Sequence, residues 1–249
     1  MTPKIDLQVD GLAPADKDSR RLRDKTKDGD FNVLAQHDAG ERSFILAFDR
    51  TATWAALYGE PDLATFDVVR NRRQSSFSLQ KAEHSNLSFA RKWLIERGCP
   101  SDALHLAWMR PADELTIRVE DRVCRSGNRY EIVDQLAGDS DASEAWTMAL
   151  DRSAAELPVR LFVEEVQPTQ GTYTVREGAF PDVDTAWRWT RTDLGPLPLV
   201  PEDLAPETKR TRAALARSTT VPTASDTAAI VAAAPAAAVI ARPDRGRSL

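Results

Sequence analysis

A weak internal repeat in the second half of the chain constrains its fold more than any other feature. Residues 115–150 and 159–192 each show an apolar–acidic run, a glycine-containing turn, a second apolar run and an alanine–tryptophan pair. The marker residues of the two copies are Val119, Tyr130 and Trp146, and Val163, Tyr173 and Trp187. The first two markers lie 11 residues apart in one copy and 10 in the other; the last two lie 16 and 14 apart. This pattern predicts two hairpin–helix (ββα) units, at 114–151 and 157–192.

Turn signals and periodicity define the elements of each unit. Alternating apolar residues around a glycine-containing turn predict a hairpin, and a 3.6-residue apolar period predicts a helix. The expected elements are strands 114–123 and 129–136 with helix 141–151, and strands 158–166 and 172–177 with helix 183–191. Trp146 and Trp187 then occupy equivalent places, each anchoring a helix on its own hairpin.

The preceding region reads as short strands followed by one helix. Apolar runs separated by polar turns predict an antiparallel β-meander of about five strands over 31–81, although 54–58 also fits a helical turn. A helix is predicted over 86–97, because Leu87, Ala90 and Leu94 share one face. Ser85 or Asn86 can cap this helix. The predicted fold class is therefore α+β, with helices packed on antiparallel sheet.

Charge and composition divide the chain into three parts. Residues 1–30 carry seven basic and seven acidic side chains, and residues 206–249 carry seven basic and three acidic ones. The total charge of −5 minus 0 and minus +4 leaves −9 for the middle, which holds every Trp, Phe, Tyr and Cys. We expect a flexible arm at 1–30, a single domain at 31–200 and a low-complexity disordered tail at 206–249. Ile5, Leu7 and Val9 alternate and offer one edge strand.

The same features narrow the functional classes. An acidic middle disfavours a broad nucleic-acid-binding face. Two isolated cysteines, no hydrophobic leader and no 20-residue apolar run indicate a cytoplasmic protein with no membrane partner. The sequence contains no dinucleotide, P-loop, zincin or hydrolase motif. We expect neither a cofactor nor a metal site.

His84 is the weak candidate for catalysis, together with Glu83. A histidine before a helix N-terminus is held neutral by the helix dipole, which suits a general base, and Ser85 and the free amides could bind an anion. The competing interpretation, which we favour, is that Ser85 and Asn86 cap the helix while Glu83 and His84 are solvated. An ordinary surface histidine is therefore expected.

Other polar and aromatic residues give weaker signals. Arg70, Arg72 and Arg73 form a predicted basic loop that could grip phosphates, as could the basic tail. Trp54 and Trp189 are candidate exposed stacking residues. The acidic pairs 120–121 and 164–165 could hold a divalent cation, but solvated strand ends explain them better. Residues 139–144 resemble the first half of a calcium loop. Such a loop needs Gly at its sixth position and Glu at its twelfth, but this chain has Glu144 and Leu150 there, so helix capping is favoured.

These observations favour a non-catalytic binding protein whose partner is another protein. The alternatives are a small hydrolase or phosphate-ligand enzyme centred on His84, and a nucleic-acid accessory protein that uses the Arg70–Arg73 loop and the basic tail. The environment of His84 discriminates between them, because a catalytic base needs a carboxylate or substrate within ~3.2 Å inside a concave pocket.

Overall fold

The structure is a computed structural model that describes residues 5–51, 60–106, 108–138, 144–192 and 195–201. The helices in these ranges are α1 (Lys17–Asp28), α2 (Leu87–Glu96), α3 (Glu114–Cys124) and α4 (Val183–Thr192). The first five strands are β1 (Ala13–Pro14), β2 (Phe31–Ala39), β3 (Arg42–Asp49), β4 (Leu63–Asn71) and β5 (Ser76–His84). The other five are β6 (Arg110–Pro111), β7 (Tyr130–Leu136), β8 (Glu144–Asp151), β9 (Val159–Gln167) and β10 (Thr172–Phe180).

The ten strands form two sheets with the same topology. One sheet has the order β1-β5-β4-β3-β2 and the other the order β6-β10-β9-β8-β7. In each sheet the two-residue strand is parallel to its neighbour, and the other four strands are antiparallel. Residues 13–96, the first repeat, and residues 110–192, the second repeat, thus have the same element order: a short strand, a helix, four strands and a helix.

Local hydrogen bonds recur at matching positions of the two repeats. Asp16 caps α1 by accepting from the Ser19 backbone N–H, and Asp113 caps α3 by accepting from the Thr116 backbone N–H. These caps satisfy amides that have no partner inside the helix. Both helices therefore begin for the same reason, immediately after a Pro-Ala-Asp sequence.

The elements form five layers. Helix α1 covers the outer face of the first sheet, where Ile45, Phe66 and Leu79 are buried. Helices α2 and α3 lie between the two sheets in a central core that contains residues from both repeats. Helix α4 covers the outer face of the second sheet, against Met148 and Leu161. No helix among the described residues is both long and apolar enough to cross a membrane.

The predicted flexible arm at 1–30 is wrong for the residues that the structure describes. Leu7 and Val9 are buried in the core under α1, and Arg70 donates hydrogen bonds to the carbonyl oxygens of Leu7 and Gln8 at 2.8 and 3.0 Å. Helix α1 was missed because its buried side chains are the polar Ser19 and Thr26. A search for apolar periodicity cannot detect such a helix.

The α+β class is confirmed, but the predicted meander followed by two ββα units is not. Residues 114–123 are helix α3 rather than a strand, and 144–151 are strand β8 where helix 141–151 was expected. The buried side of α3 includes Thr116 and Glu120, which hides its helical period. Strand β8 is buried on both faces, and such a strand resembles a buried helix in sequence.

Several other expected elements lie close to observed ones. The helices predicted at 86–97 and 183–191 are confirmed as α2 and α4. The hairpin predicted at 158–177 is confirmed as β9 and β10, and residues 129–136 as β7. The alternatives for 54–58 and the predicted tail at 206–249 lie outside the described residues.

Candidate functional site

His84, the catalytic candidate, is buried at the end of β5 rather than solvated. Its exposed fraction is 4%, its ring meets Trp93 edge-on, and its Nε2 lies 3.2 Å from the Thr65 hydroxyl. Burial, with smaller effects from Arg97 and Lys92, lowers the pKa of His84 to about 4. The prediction that His84 is an ordinary surface histidine is therefore wrong. The lowered pKa comes mainly from desolvation, whereas the sequence argument relied on the helix dipole.

The residues around the start of α2 form a buried polar cluster between the two repeats. Asn86 caps the helix by accepting from the Ser88 N–H at 2.9 Å, and Glu164 of the second repeat accepts from the Leu87 N–H at 2.9 Å. Burial raises the pKa of Glu164 to about 8. The cluster also has buried polar atoms without a hydrogen-bond partner among the described residues: His84 Nδ1, Ser85 Oγ, Asn86 Nδ2 and Ser88 Oγ. It joins the repeats, and its residues are too deeply buried for substrate access.

The other predicted site residues do not come together at one place. Glu83 is exposed and pairs with Lys81 at 2.8 Å, so it does not act with His84. Arg72 and Arg73 are exposed, but Arg70 is 2% exposed and holds the N-terminal segment, so the predicted three-arginine loop is wrong in this respect.

The candidate stacking tryptophans and the acidic pairs also do not form a site. Trp189 packs against Phe180 and its indole N–H is buried, so it is not an exposed stacking residue. Trp54 lies outside the described residues. In the predicted acidic pairs, Glu120 is buried in α3 and bonds Arg91 and Tyr173, which contradicts a solvated strand end. Glu164 is likewise buried.

A charged network surrounds Asp151 at the end of β8, and Arg122 of α3 is joined to it through Glu177. Asp151 accepts a bidentate pair from Arg129 at 2.9 and 2.6 Å and a further bond from Arg160 at 3.1 Å. Burial alone would raise the pKa of Asp151, but hydrogen bonds from Arg129 and Ser153 hold it below its usual range. The Arg129 guanidinium also lies 5.0 Å from the centre of the Tyr130 ring. Two guanidinium groups therefore share one buried carboxylate.

The matching position of the first repeat holds a cavity. Asp49 corresponds to Asp151, because Asp49 pairs with Phe31 across β2–β3 as Asp151 pairs with Tyr130 across β7–β8. Beside it lies an opening of about 400 Å³. Its lining includes Lys25, Asp28, Phe31, Asp49, Thr51 and Lys81. Sequence reasoning missed this site, although the triplets Asp49-Arg50-Thr51 and Asp151-Arg152-Ser153 signal it.

The edge strand β7 has exposed apolar side chains. Ile132 and Val133 are 41% and 42% exposed, on a strand hydrogen-bonded only to β8 within the part of the chain that the structure describes. The register shifts between Ile132 and Asp134, which places a bulge at Val133. Sequence reasoning identified the strand but missed its edge position, which depends on the long-range order of the strands.

The described residues contain no group of three or more His, Cys, Asp or Glu side chains that could hold a metal ion. Cys99 and Cys124 are free thiols, and burial raises the pKa of each to about 11, so neither is an activated nucleophile. Comparison of the chain with protein-family models, with curated proteins and with solved structures finds no match.

Proposed function

We propose that this chain is a non-catalytic protein-interaction protein that binds its partner at the edge of β7. The observation that carries the proposal is the exposure of Ile132 and Val133 on that strand. Adjacent exposed apolar residues on an unpaired edge are a hazard that proteins usually cover or block with charge. A binding partner gives this edge a cover.

The first repeat has a cover at the equivalent strand. Val33 and Leu34 occupy the same bulge in β2 and are only partly exposed. Val33 packs against the outer core, and Leu34 packs against the central core. The turn Ser101–Leu104 contacts β2.

No described segment of the second repeat takes the place of that turn. Residues 195–201 instead approach β10, where Leu199 pairs with Gly178. Because the turn that contacts the equivalent strand buries Leu104, we propose that the partner is a protein that presents an apolar segment to β7. The outer backbone groups of β7, which no described strand pairs with, add hydrogen-bonding capacity for that segment.

The two other hypotheses gain no support from the site geometry. His84 has no carboxylate within hydrogen-bond distance among the described residues, and it lies in the core rather than in a cleft. Arg70 is engaged in the interior, which leaves only Arg72 and Arg73 of the basic loop at the surface.

Site-specific photo-crosslinking in cells tests the proposal. A photoreactive residue at position 133 should give a discrete product of higher mass, and Ile132→Asp should abolish it. The matched control is position 117, because Ile117 is 49% exposed on α3 rather than on an edge strand. Absence of a product at 133, or the same products at 133 and 117, would contradict the proposal. A product of twice the chain's mass would identify a second copy as the partner.

A further inference from the structure

The two repeats differ most in chemistry around Asp49 and Asp151. In the second repeat, Arg129 approaches Asp151 from the loop and Arg160 approaches it from β9. Ala64 occupies the position of Arg160, since Ala47 pairs with Ala64 as Ala149 pairs with Arg160. Asp49 therefore lacks the guanidinium group that its counterpart receives from the sheet.

Lys81 supplies the inner positive charge in the first repeat. It stands at the position of Glu177, because Phe66 pairs with Lys81 as Phe162 pairs with Glu177. Its Nζ lies 3.7 Å from Asp49 and 5.2 Å from the centre of the Phe31 ring. A cation thus reaches this carboxylate from β5, two strands away in the sheet, whereas Arg160 reaches Asp151 from the adjacent strand β9.

In the first repeat, no described residue supplies a positive charge at the position of Arg129. Asp30 occupies the position of Arg129, because the carbonyl oxygen of each accepts from a matching backbone N–H, that of Arg50 and that of Arg152. Asp30 carries the opposite charge to Arg129. Its side chain is 59% exposed and lies 3.7 Å from Arg50 rather than against Asp49. Among the described residues, the Asp49 carboxylate contacts only Thr51 and Lys81.

The cavity is lined by the counterparts of two groups that the Arg129 guanidinium contacts. It is lined by Asp49 and by Phe31, which correspond to the carboxylate and the ring that Arg129 contacts in the second repeat. Lys81 is paired with Glu83 at 2.8 Å, and Asp28 adds a further negative charge to the lining. With Lys25 and Lys81 set against Asp28, Asp49 and Glu83, the lining has an excess of one negative charge.

We infer that this cavity binds the guanidinium group of an arginine side chain presented by another protein, in the position that Arg129 fills in the second repeat. The Asp49 carboxylate can form a planar bidentate pair with a guanidinium group, and Phe31 lines the cavity beside that carboxylate. The source is an arginine within a polypeptide, since Arg129 itself is a chain residue. This inference goes beyond the interaction proposed at β7 and concerns a different surface.

Titration followed by NMR tests the inference with a defined probe, N-acetyl-L-argininamide. The amide signals of Gly29, Phe31 and Thr51 should shift saturably. The citrulline analogue, which is neutral and similar in shape, and the lysine analogue should bind about tenfold more weakly or worse, because neither forms the charged bidentate pair. Equal binding of the three probes, or no binding of the arginine probe, would overturn the inference.

Two variants and a second source complete the experiment. Asp49→Asn should weaken binding by about tenfold or more, whereas Asp18→Asn on exposed α1 should leave it unchanged. Because Asp49 also supports the turn at Thr51, Asp30→Arg provides a variant that retains this carboxylate. It should fold and yet lose probe binding, since its own guanidinium fills the site. If free L-arginine bound and the blocked probe did not, the assignment to a polypeptide arginine would be wrong.

Discussion

Ser19 and Thr116 make the same hydrogen bond at matching positions of the two repeats. The Ser19 hydroxyl accepts from the Leu79 N–H at 3.0 Å, and the Thr116 hydroxyl accepts from the Val175 N–H at 3.2 Å. Each bond ties the first helix of a repeat to its fifth strand. Both side chains also bond the capping aspartate of their own helix.

This correspondence predicts similar costs for two substitutions. Ser19→Ala and Thr116→Val should each lower the free energy of unfolding by about 1–3 kcal/mol, because a buried N–H loses its acceptor. Chemical denaturation checks the values, with Ser101→Ala on an exposed turn as the control. A cost at one position and none at the other would show that the two helices are not held in the same way.

Trp146 and Trp187 have different roles, contrary to the sequence prediction. Their rings pack edge-to-face with centroids 5.3 Å apart, so one tryptophan on β8 contacts one on α4. Trp146 is 7% exposed and Trp187 is partly exposed. Trp146→Ala should cost about 3–5 kcal/mol, the range for truncating a buried aromatic residue, and Trp187→Ala should cost less.

A double-mutant cycle measures the contact between these tryptophans. The double variant should be less destabilised than the sum of the single variants, because removing one ring already removes the shared contact. Strict additivity in chemical denaturation would contradict the edge-to-face packing.

The buried Glu164 should make stability depend on pH. Its pKa is about 8 in the folded chain and near 4.5 when unfolded, so the folded state holds more protons between these values. Stability from this group is therefore present at low pH and is lost as the pH rises from about 5 towards 8.

Glu164→Gln keeps an oxygen that can accept from Leu87 and removes the titration. Denaturation of this variant at pH 5 and at pH 8 should show a smaller loss of stability than the unaltered chain. The matched control is Glu165→Gln, one residue along the strand on the exposed side. An unchanged pH profile in Glu164→Gln would mean that this carboxyl is not protonated in the folded chain.

Much of the fold could be predicted where buried faces are apolar, as in α2 and α4. A helix whose buried face is polar, such as α1 with Ser19 and Thr26, could not be predicted, because helical periodicity is recognised from apolar residues only. The repeat was aligned out of register for the same reason: α3 was matched with strand β9. The triplets Pro14-Ala15-Asp16 and Pro111-Ala112-Asp113 give the correct alignment.

The candidate sites could not be predicted from the pattern of apolar residues. His84 was identified, but its burial depends on α2 and on Trp93 packing over the sheet. Asp49 differs from Asp151 because Ala64 and Asp30 stand where the second repeat has arginines, and this is visible only once strand register and backbone hydrogen bonds match those positions. The exposed edge of β7 similarly depends on what the turn Ser101–Leu104 covers in the first repeat.

We propose that the two repeats are copies of one unit and that their differences mark binding places. Thermal unfolding of Asp30→Arg tests it most directly, with Asp28→Arg, which lies in the cavity lining, as a control for the same charge change. An arginine at position 30 should reach Asp49 as Arg129 reaches Asp151 and raise stability by about 1.5–3 kcal/mol, the range for hydrogen bonds to charged groups. Asp28→Arg should not give this increase. Equal or lower melting temperatures for Asp30→Arg relative to Asp28→Arg would contradict the equivalence of the two sites.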